Sequence, residues 1–238
     1  MQALLYTERM NPEDYTKGDA FQAEKMSLFS TEWLPVCAEG QIAQPGDFLT
    51  VTVGGWSVVV VRGKDGAVRV LRNACRHQNM PVVGTPSGNC ETFRCRFHGW
   101  VYDLQGHFLA APPPMSPAKP GPEHDLQVLA LAKVGGMVFF SLGTPAALPE
   151  LAAPSVPYSG TVITEMACNW KIVVEELKDG TRCGPLLSVT STRIHQVVPH
   201  TFLRTRLFTH SFGAAPDTFD TLKQTCEARQ QAYQTGSS

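Results

Sequence analysis

Two short segments constrain this chain more than anything else in it. Cys75-Arg76-His77 offers one thiolate and one imidazole, and after seventeen intervening residues Cys95-Arg96-Phe97-His98 offers another of each. Bringing the four together requires residues 75–98 to fold back on themselves. The mixing of types is informative. A two-iron [2Fe–2S] cluster can carry two Cys on one iron and two His on the other. Neutral imidazoles leave it less negative, at roughly −150 to +300 mV against about −400 mV for all-Cys plant-type clusters. Zinc also accepts two Cys and two His, but its fingers pair Cys with Cys and His with His, the second pair on a helix. Here each loop mixes the types and neither lies in a helical pattern. Zinc stays open as the rival, beside the plainer reading of buried thiols and surface imidazoles.

The flanking residues carry a resemblance. Asn73-Ala74-Cys75-Arg76-His77 and the run Arg94-Cys95-Arg96-Phe97-His98-Gly99-Trp100-Val101-Tyr102-Asp103-Leu104-Gln105-Gly106 resemble the α-subunits of Rieske non-haem iron oxygenases. These include ring-hydroxylating dioxygenases and choline- or betaine-type monooxygenases. The resemblance implies a [2Fe–2S] cluster held by Cys75, His77, Cys95 and His98. The Rieske proteins of respiratory cytochrome complexes carry an extra Cys in each loop. Met80 and Phe97 stand at those positions, so no disulfide staples the loops and the likeness is to the oxygenase branch.

The rest of the chain gives the fold class expected: β-rich α+β, with a Rieske antiparallel β domain followed by a truncated helix-grip-like α+β domain. Residues 1–32 read as a helical lead-in. Asn11 can cap it, Pro12 suits the first turn, and Phe21 to Phe29 place apolar residues on one helical face. The expected partner of that helix is the β domain or a neighbouring subunit. Residues 33–143 contain short β-branched runs punctuated by Gly54-Gly55 and Asp65-Gly66, which are hairpin signals. Strands are expected at 33–38, 48–53, 56–62, 67–71, 100–104, 126–132 and 137–142. Pro112-Pro113-Pro114 cannot join a sheet; it is either a plain connector or a lid that limits water at the cluster. Residues 144–157 read as a linker.

Residues 158–238 are the expected truncated domain. Asn169-Trp170-Lys171 and Glu175 match the start of the resembled family's iron-binding motif. Asp179 falls on the acid that, in that family, bridges a Rieske His of one subunit to the mononuclear iron of the next. Arg182 and Leu187 stand where the two His ligands belong. A guanidinium repels a divalent cation and Leu has no lone pair, so mononuclear Fe(II) is expected to be absent from this chain. His195 and His200 are five apart, like the family's ligands, but lie in a strand pattern that turns them to opposite faces; they read as sheet histidines. A helix is expected at 220–233, and Thr235 to Ser238 should fray.

Composition narrows the function. A net charge of −1 gives no basic footprint for nucleic acid, and no apolar run reaches the length of a membrane helix. The first nine residues are too polar for a signal peptide. Seven scattered Cys fit reduced thiols in the cytoplasm better than a disulfide framework. The implied function is a redox component of an oxygenase system, relaying single electrons to a mononuclear iron in a partner chain. The implied partners are an electron-donating reductase or ferredoxin, and an iron-bearing oxygenase subunit or a homo-oligomer. Three alternatives stay open: a free-standing Rieske ferredoxin-like carrier, a non-catalytic assembly or redox-sensing subunit, and an oxygenase read through a shortened gene.

Overall fold

The computed structural model describes residues 10–143, 147–148, 150–152, 154–213, 215 and 218–236. The readings made for Met1 to Arg9, for the end of the tail at Ser237 and Ser238, and for part of 144–157 fall outside the described residues. Helix α1 (Pro12–Thr16) starts where the sequence places it, with Pro12 in its first turn and the Asp14 carboxylate accepting the Asn11 N–H at 2.9 Å. It does not run on. Lys17 is extended, at φ −100° and ψ 135°, and the chain restarts as α2 (Gly18–Ser27). The single apolar face is also incomplete, because Phe21 is buried while Met26 is exposed.

The lead-in packs largely on helices from the far end of the chain, a contact its own sequence does not announce. Glu24 ion-pairs with the buried Lys171 and accepts the indole N–H of Trp170 at 2.8 Å. Tyr15 donates to Glu175 at 2.6 Å and stacks on Tyr233. Removing one partner of a buried pair such as Glu24–Lys171 leaves an uncompensated charge, at a cost of about 3–5 kcal/mol.

Ten strands follow: β1 (Leu34–Ala38), β2 (Asp47–Val53), β3 (Trp56–Arg62), β4 (Val68–Arg72), β5 (Ser87–Asn89), β6 (Phe93–Arg94), β7 (Val101–Tyr102), β8 (Phe108–Ala110), β9 (Ala130–Val134) and β10 (Met137–Ser141). They form three antiparallel sheets, ordered β4-β3-β2-β5, β6-β7-β8 and β1-β10-β9. The β2–β3 hairpin turns through Gly54 and Gly55, both with positive φ, as a two-residue turn of mirror-image type requires. A side chain at Gly54 would also strike the Phe29 ring. The strand expected at 126–132 begins only at Ala130. Before that, residues 126–129 run along β4 through the Leu71–Val128 bridge and the bond from Leu129 N–H to the Val70 carbonyl.

Five more strands, β11 (Tyr158–Met166), β12 (Thr181–Arg182), β13 (Leu187–Val189), β14 (Arg193–Thr201) and β15 (Arg204–Phe212), make an antiparallel sheet ordered β11-β15-β14-β13-β12. Helices α3 (Trp170–Glu176) and α4 (Asp220–Thr235) pack on it. Asn169 caps α3 by accepting the Lys171 N–H. One hydrophobic core joins both halves, from Val36, Val51 and Val58 to Trp170, Val197 and Leu207. A buried polar tie accompanies it: Gln196 donates to the Pro35 carbonyl at 2.9 Å. The Gly54 N–H likewise donates to the Pro199 carbonyl, at 2.8 Å.

Candidate metal centre

The four ligand-type residues converge. The first loop leaves β4 and is closed by Cys75 N–H to the Met80 carbonyl and Asn79 N–H to the Cys75 carbonyl. Buried Asn73 staples its far side, accepting the N–H groups of Val82 and Val83 and donating to the Val83 carbonyl. The second loop joins β6 to β7. Cys95 N–H bonds to the Trp100 carbonyl and Gly99 N–H to the Cys95 carbonyl, with Gly99 at φ 71° where a Cβ would be strained.

At the tips, His77 Nδ1 and His98 Nδ1 are 3.2 Å apart, the rings crossing at 89°. Two nitrogens bound at ~2.1 Å to one near-tetrahedral ion lie roughly 3.2–3.4 Å apart, so both can serve one iron without rearrangement. Deeper in, Cys75 and Cys95 are both buried in one small core with Phe48, Phe93, Trp100 and Tyr102. Burial pushes the Cys75 thiol up, and the neighbouring Cys95 adds to this. A cation that displaces both protons resolves that conflict. Among the described residues no three His, Cys, Asp or Glu side chains gather as around a single ion. Nitrogens paired at one point and sulfurs at another suit two irons better than one zinc.

The surroundings hold these groups still. Tyr102, fully buried, places its hydroxyl 3.2 Å from Cys75 Sγ and accepts the Arg76 N–H at 3.1 Å. The hydroxyl proton is thereby free to point at a thiolate. Trp100 stacks on His77 at 5.3 Å and 13°, and its indole N–H is fixed by the Met115 carbonyl at 2.9 Å. Pro112 lies where a Cβ on Gly99 would meet it at 3.1 Å. Pro112 therefore packs on the second loop, which suits a plain connector as well as a lid. The roles of Asn73 and Tyr102 depend on tertiary contacts that spacing alone does not reveal.

Asp179 does not join this group. It lies in the turn after α3, half exposed, and its carboxylate meets His195 Nε2 at 3.1 Å. His195 is fully buried on β14, with Nδ1 3.2 Å from the Thr209 hydroxyl. Burial lowers its basicity, while Asp179 opposes that. His200, on the same strand, is only partly buried and takes no part. Arg182 donates to the Leu177 carbonyl at 3.1 Å and Leu187 is buried in the hydrophobic core, so neither offers a lone pair to a metal.

Comparison with known proteins agrees with this geometry. The Rieske [2Fe-2S] domain family matches residues 32–130. The benzene 1,2-dioxygenase α-subunit of Pseudomonas putida is 40% identical over 104 residues, 44% of this chain and 23% of that protein. The carnitine monooxygenase oxygenase subunit of Acinetobacter pittii is 27% identical over 186 residues, 72% of this chain and 50% of that protein. The matched segments thus span between about a quarter and a half of these relatives. In fold, the chain is similar to the quaternary ammonium Rieske monooxygenase CntA, with a TM-score of 0.73 at 18% identity, covering 95% of this chain and 85% of that one. Naphthalene 1,2-dioxygenase gives 0.70 at 14% identity, covering 94% and 75%.

Proposed function

This is a Rieske-domain chain whose homologues are oxygenase α-subunits, and on that premise we propose that it serves as the redox component of an oxygenase system. It takes single electrons from a reductase or ferredoxin and passes them to a mononuclear iron held by a partner chain. A [2Fe–2S] cluster so ligated supplies the capacity to accept and release one electron. Cys75 and Cys95 would hold one iron, His77 and His98 the other. The carrying observation is the 3.2 Å approach of the two Nδ1 atoms beside two thiols, Cys75 and Cys95, buried in one core.

The residues around that centre support a relay. Tyr102 directs a hydroxyl at a ligand sulfur, which favours the more negative, reduced state. His77 and His98 lie at the partly exposed end of the loops, the side from which an electron can leave. Arg182 and Leu187, standing where the resembled family has ligands, support placing the second iron in another chain. The half-exposed Asp179 carboxylate is available to a neighbour. All seven thiols are unbridged, in keeping with a cytoplasmic setting.

The test is metal and sulfide content of anaerobically purified protein, with EPR of the reduced form. Two irons per chain and a low average g are expected, with no oxidation of an organic compound until an iron-bearing oxygenase chain is added. Colourless protein carrying zinc overturns the cluster. Three irons with unaided turnover overturn the relay to a partner.

A further inference from the structure

A chain of hydrogen bonds inside the C-terminal sheet reaches across to the N-terminal half, and the chemistry of its members fixes its direction. Gln196 on β14 and His210 on β15 are both fully buried. The Gln196 side chain meets two acceptors in β1, the Pro35 carbonyl at 2.9 Å and the Val36 carbonyl at 3.3 Å. Its amide nitrogen must face them, because its oxygen would repel both. The end that faces His210 Nε2 at 2.9 Å is therefore the oxygen, which only accepts. Nε2 carries the proton.

The other ring nitrogen follows from the surroundings. Among the described residues His210 has no carboxylate partner, and burial keeps a second proton off the ring; a charge on His195 of β14 would oppose one there too. Nδ1 thus keeps its lone pair. Thr161, directly opposite His210 on β11, donates its hydroxyl to that nitrogen at 2.8 Å. A hydroxyl has one proton, so Thr161 can only accept from the Tyr158 hydroxyl, also at 2.8 Å. Tyr158 in turn lies against the N-terminal half, where a Cβ on Gly40, two residues beyond β1, would strike its ring at 2.5 Å. The chain leaves the N-terminal half at residues 35–36 and returns to it at residue 40. We propose that it is a one-way latch, Tyr158 to Thr161 to His210 to Gln196 to the β1 backbone, in which the Nε2–H tautomer of His210 keeps Gln196 on β1 and so couples the two halves. With the proton on Nδ1 instead, Nε2 and the Gln196 oxygen would be two acceptors facing each other in a dry interior, a costly arrangement. The proposal stands apart from the cluster and from the relay reading.

Two measurements on the full-length protein as purified test this. Long-range proton–nitrogen NMR of the imidazoles reads the tautomer, and His210 should be protonated at Nε2 alone. Hydrogen-exchange mass spectrometry reads the latch through the peptide spanning β1. Gln196→Met should speed its exchange roughly three- to tenfold, the loss of one hydrogen bond. Thr161→Val, whose hydroxyl reaches β1 only through His210, should speed it about twofold or more. Thr161→Ser keeps the donor and should exchange like wild type, and Thr161→Val should add nothing once Gln196 is Met. A proton on Nδ1, or on both nitrogens, overturns the proposal. So does Thr161→Val leaving β1 unaffected, or speeding it equally with and without Gln196, which would mark a general loosening. Should Gln196→Met fail to fold, the tautomer and the contrast between Val and Ser at 161 decide the matter: equal exchange in those two variants overturns the latch.

Discussion

Tyr102→Phe isolates one hydrogen bond at the centre and leaves the packing volume nearly intact. The hydroxyl is 3.2 Å from Cys75 Sγ, its orientation is set by the Arg76 N–H at 3.1 Å, and the residue is fully buried, so no solvent replaces what is lost. A hydrogen bond to a charged acceptor contributes about 1.5–3 kcal/mol. With a cluster bound, the sulfur would be negative in both oxidation states, so only the part that grows on reduction would move the potential. Taking roughly a third gives ~0.5–1 kcal/mol in favour of the reduced form. For a one-electron couple a tenfold change in equilibrium is about 59 mV, so the variant should fall by ~20–40 mV. Spectroelectrochemical titration of the reconstituted protein measures this directly, and iron content checks that the cluster is intact. A potential that stays put or rises, at full iron loading, would refute the claim that this hydroxyl donates to a ligand sulfur.

Three further outcomes follow from the same structure. Asn73→Ala strips partners from the N–H groups of Val82 and Val83, and should cost about 2–4 kcal/mol in urea unfolding and speed cluster loss to a chelator; wild-type stability would show that the loop does not depend on the staple. Asp179→Asn should leave cluster content and potential unchanged while slowing electron delivery to an added iron-bearing chain, and delivery at the wild-type rate would remove any bridging role. The third concerns pH. Burial, helped by nearby His195, takes His210 down to about 3, and His195 shifts the same way. Between about pH 6.5 and that value the unfolded chain binds a proton the folded one does not, so stability falls as pH drops, by at most about 1.4 kcal/mol per unit per histidine. Glu39 and Asp65, whose pKa values are lowered, lose their contribution only at more acid pH. Urea midpoints at about pH 7.5 and 5.5 should therefore differ, and His210→Gln should narrow the gap; an unchanged gap in that variant, and in His195→Gln, removes the histidines as its source.

The strands were legible because their signals are local. Val58 to Val61 and Phe48 to Val53 alternate or run apolar between glycine turns, and the structure keeps those bounds within a residue. The convergence of Cys75, His77, Cys95 and His98 was legible because a metal site would concentrate rare residue types at fixed spacings. What stayed hidden depends on distance along the chain. Gly18 is the one local mark of the break at Lys17 between α1 and α2, and nothing near Glu24 points to Lys171. Asp179 and His195 meet only because β14 lies beside the turn after α3. Cys168 and Cys226, far apart in sequence, are likewise buried in one core, with α4 packed on the sheet. The apolar run at 126–129 suggested a strand, but strand pairing needs a partner edge, and β4 offers it only one bridge.

The tie between Gln196 and the β1 backbone bears on any attempt to cut this molecule down. Excising the iron–sulfur half by itself would strand the Pro35 carbonyl and the Gly54 amide at a raw apolar surface lined by Val36, Val51 and Val58. Such a fragment would be prone to stick to itself, and an engineer seeking a minimal electron carrier would have to rebuild that face first. The C-terminal sheet is thus a foundation for its neighbour, whatever chemistry it does or does not perform.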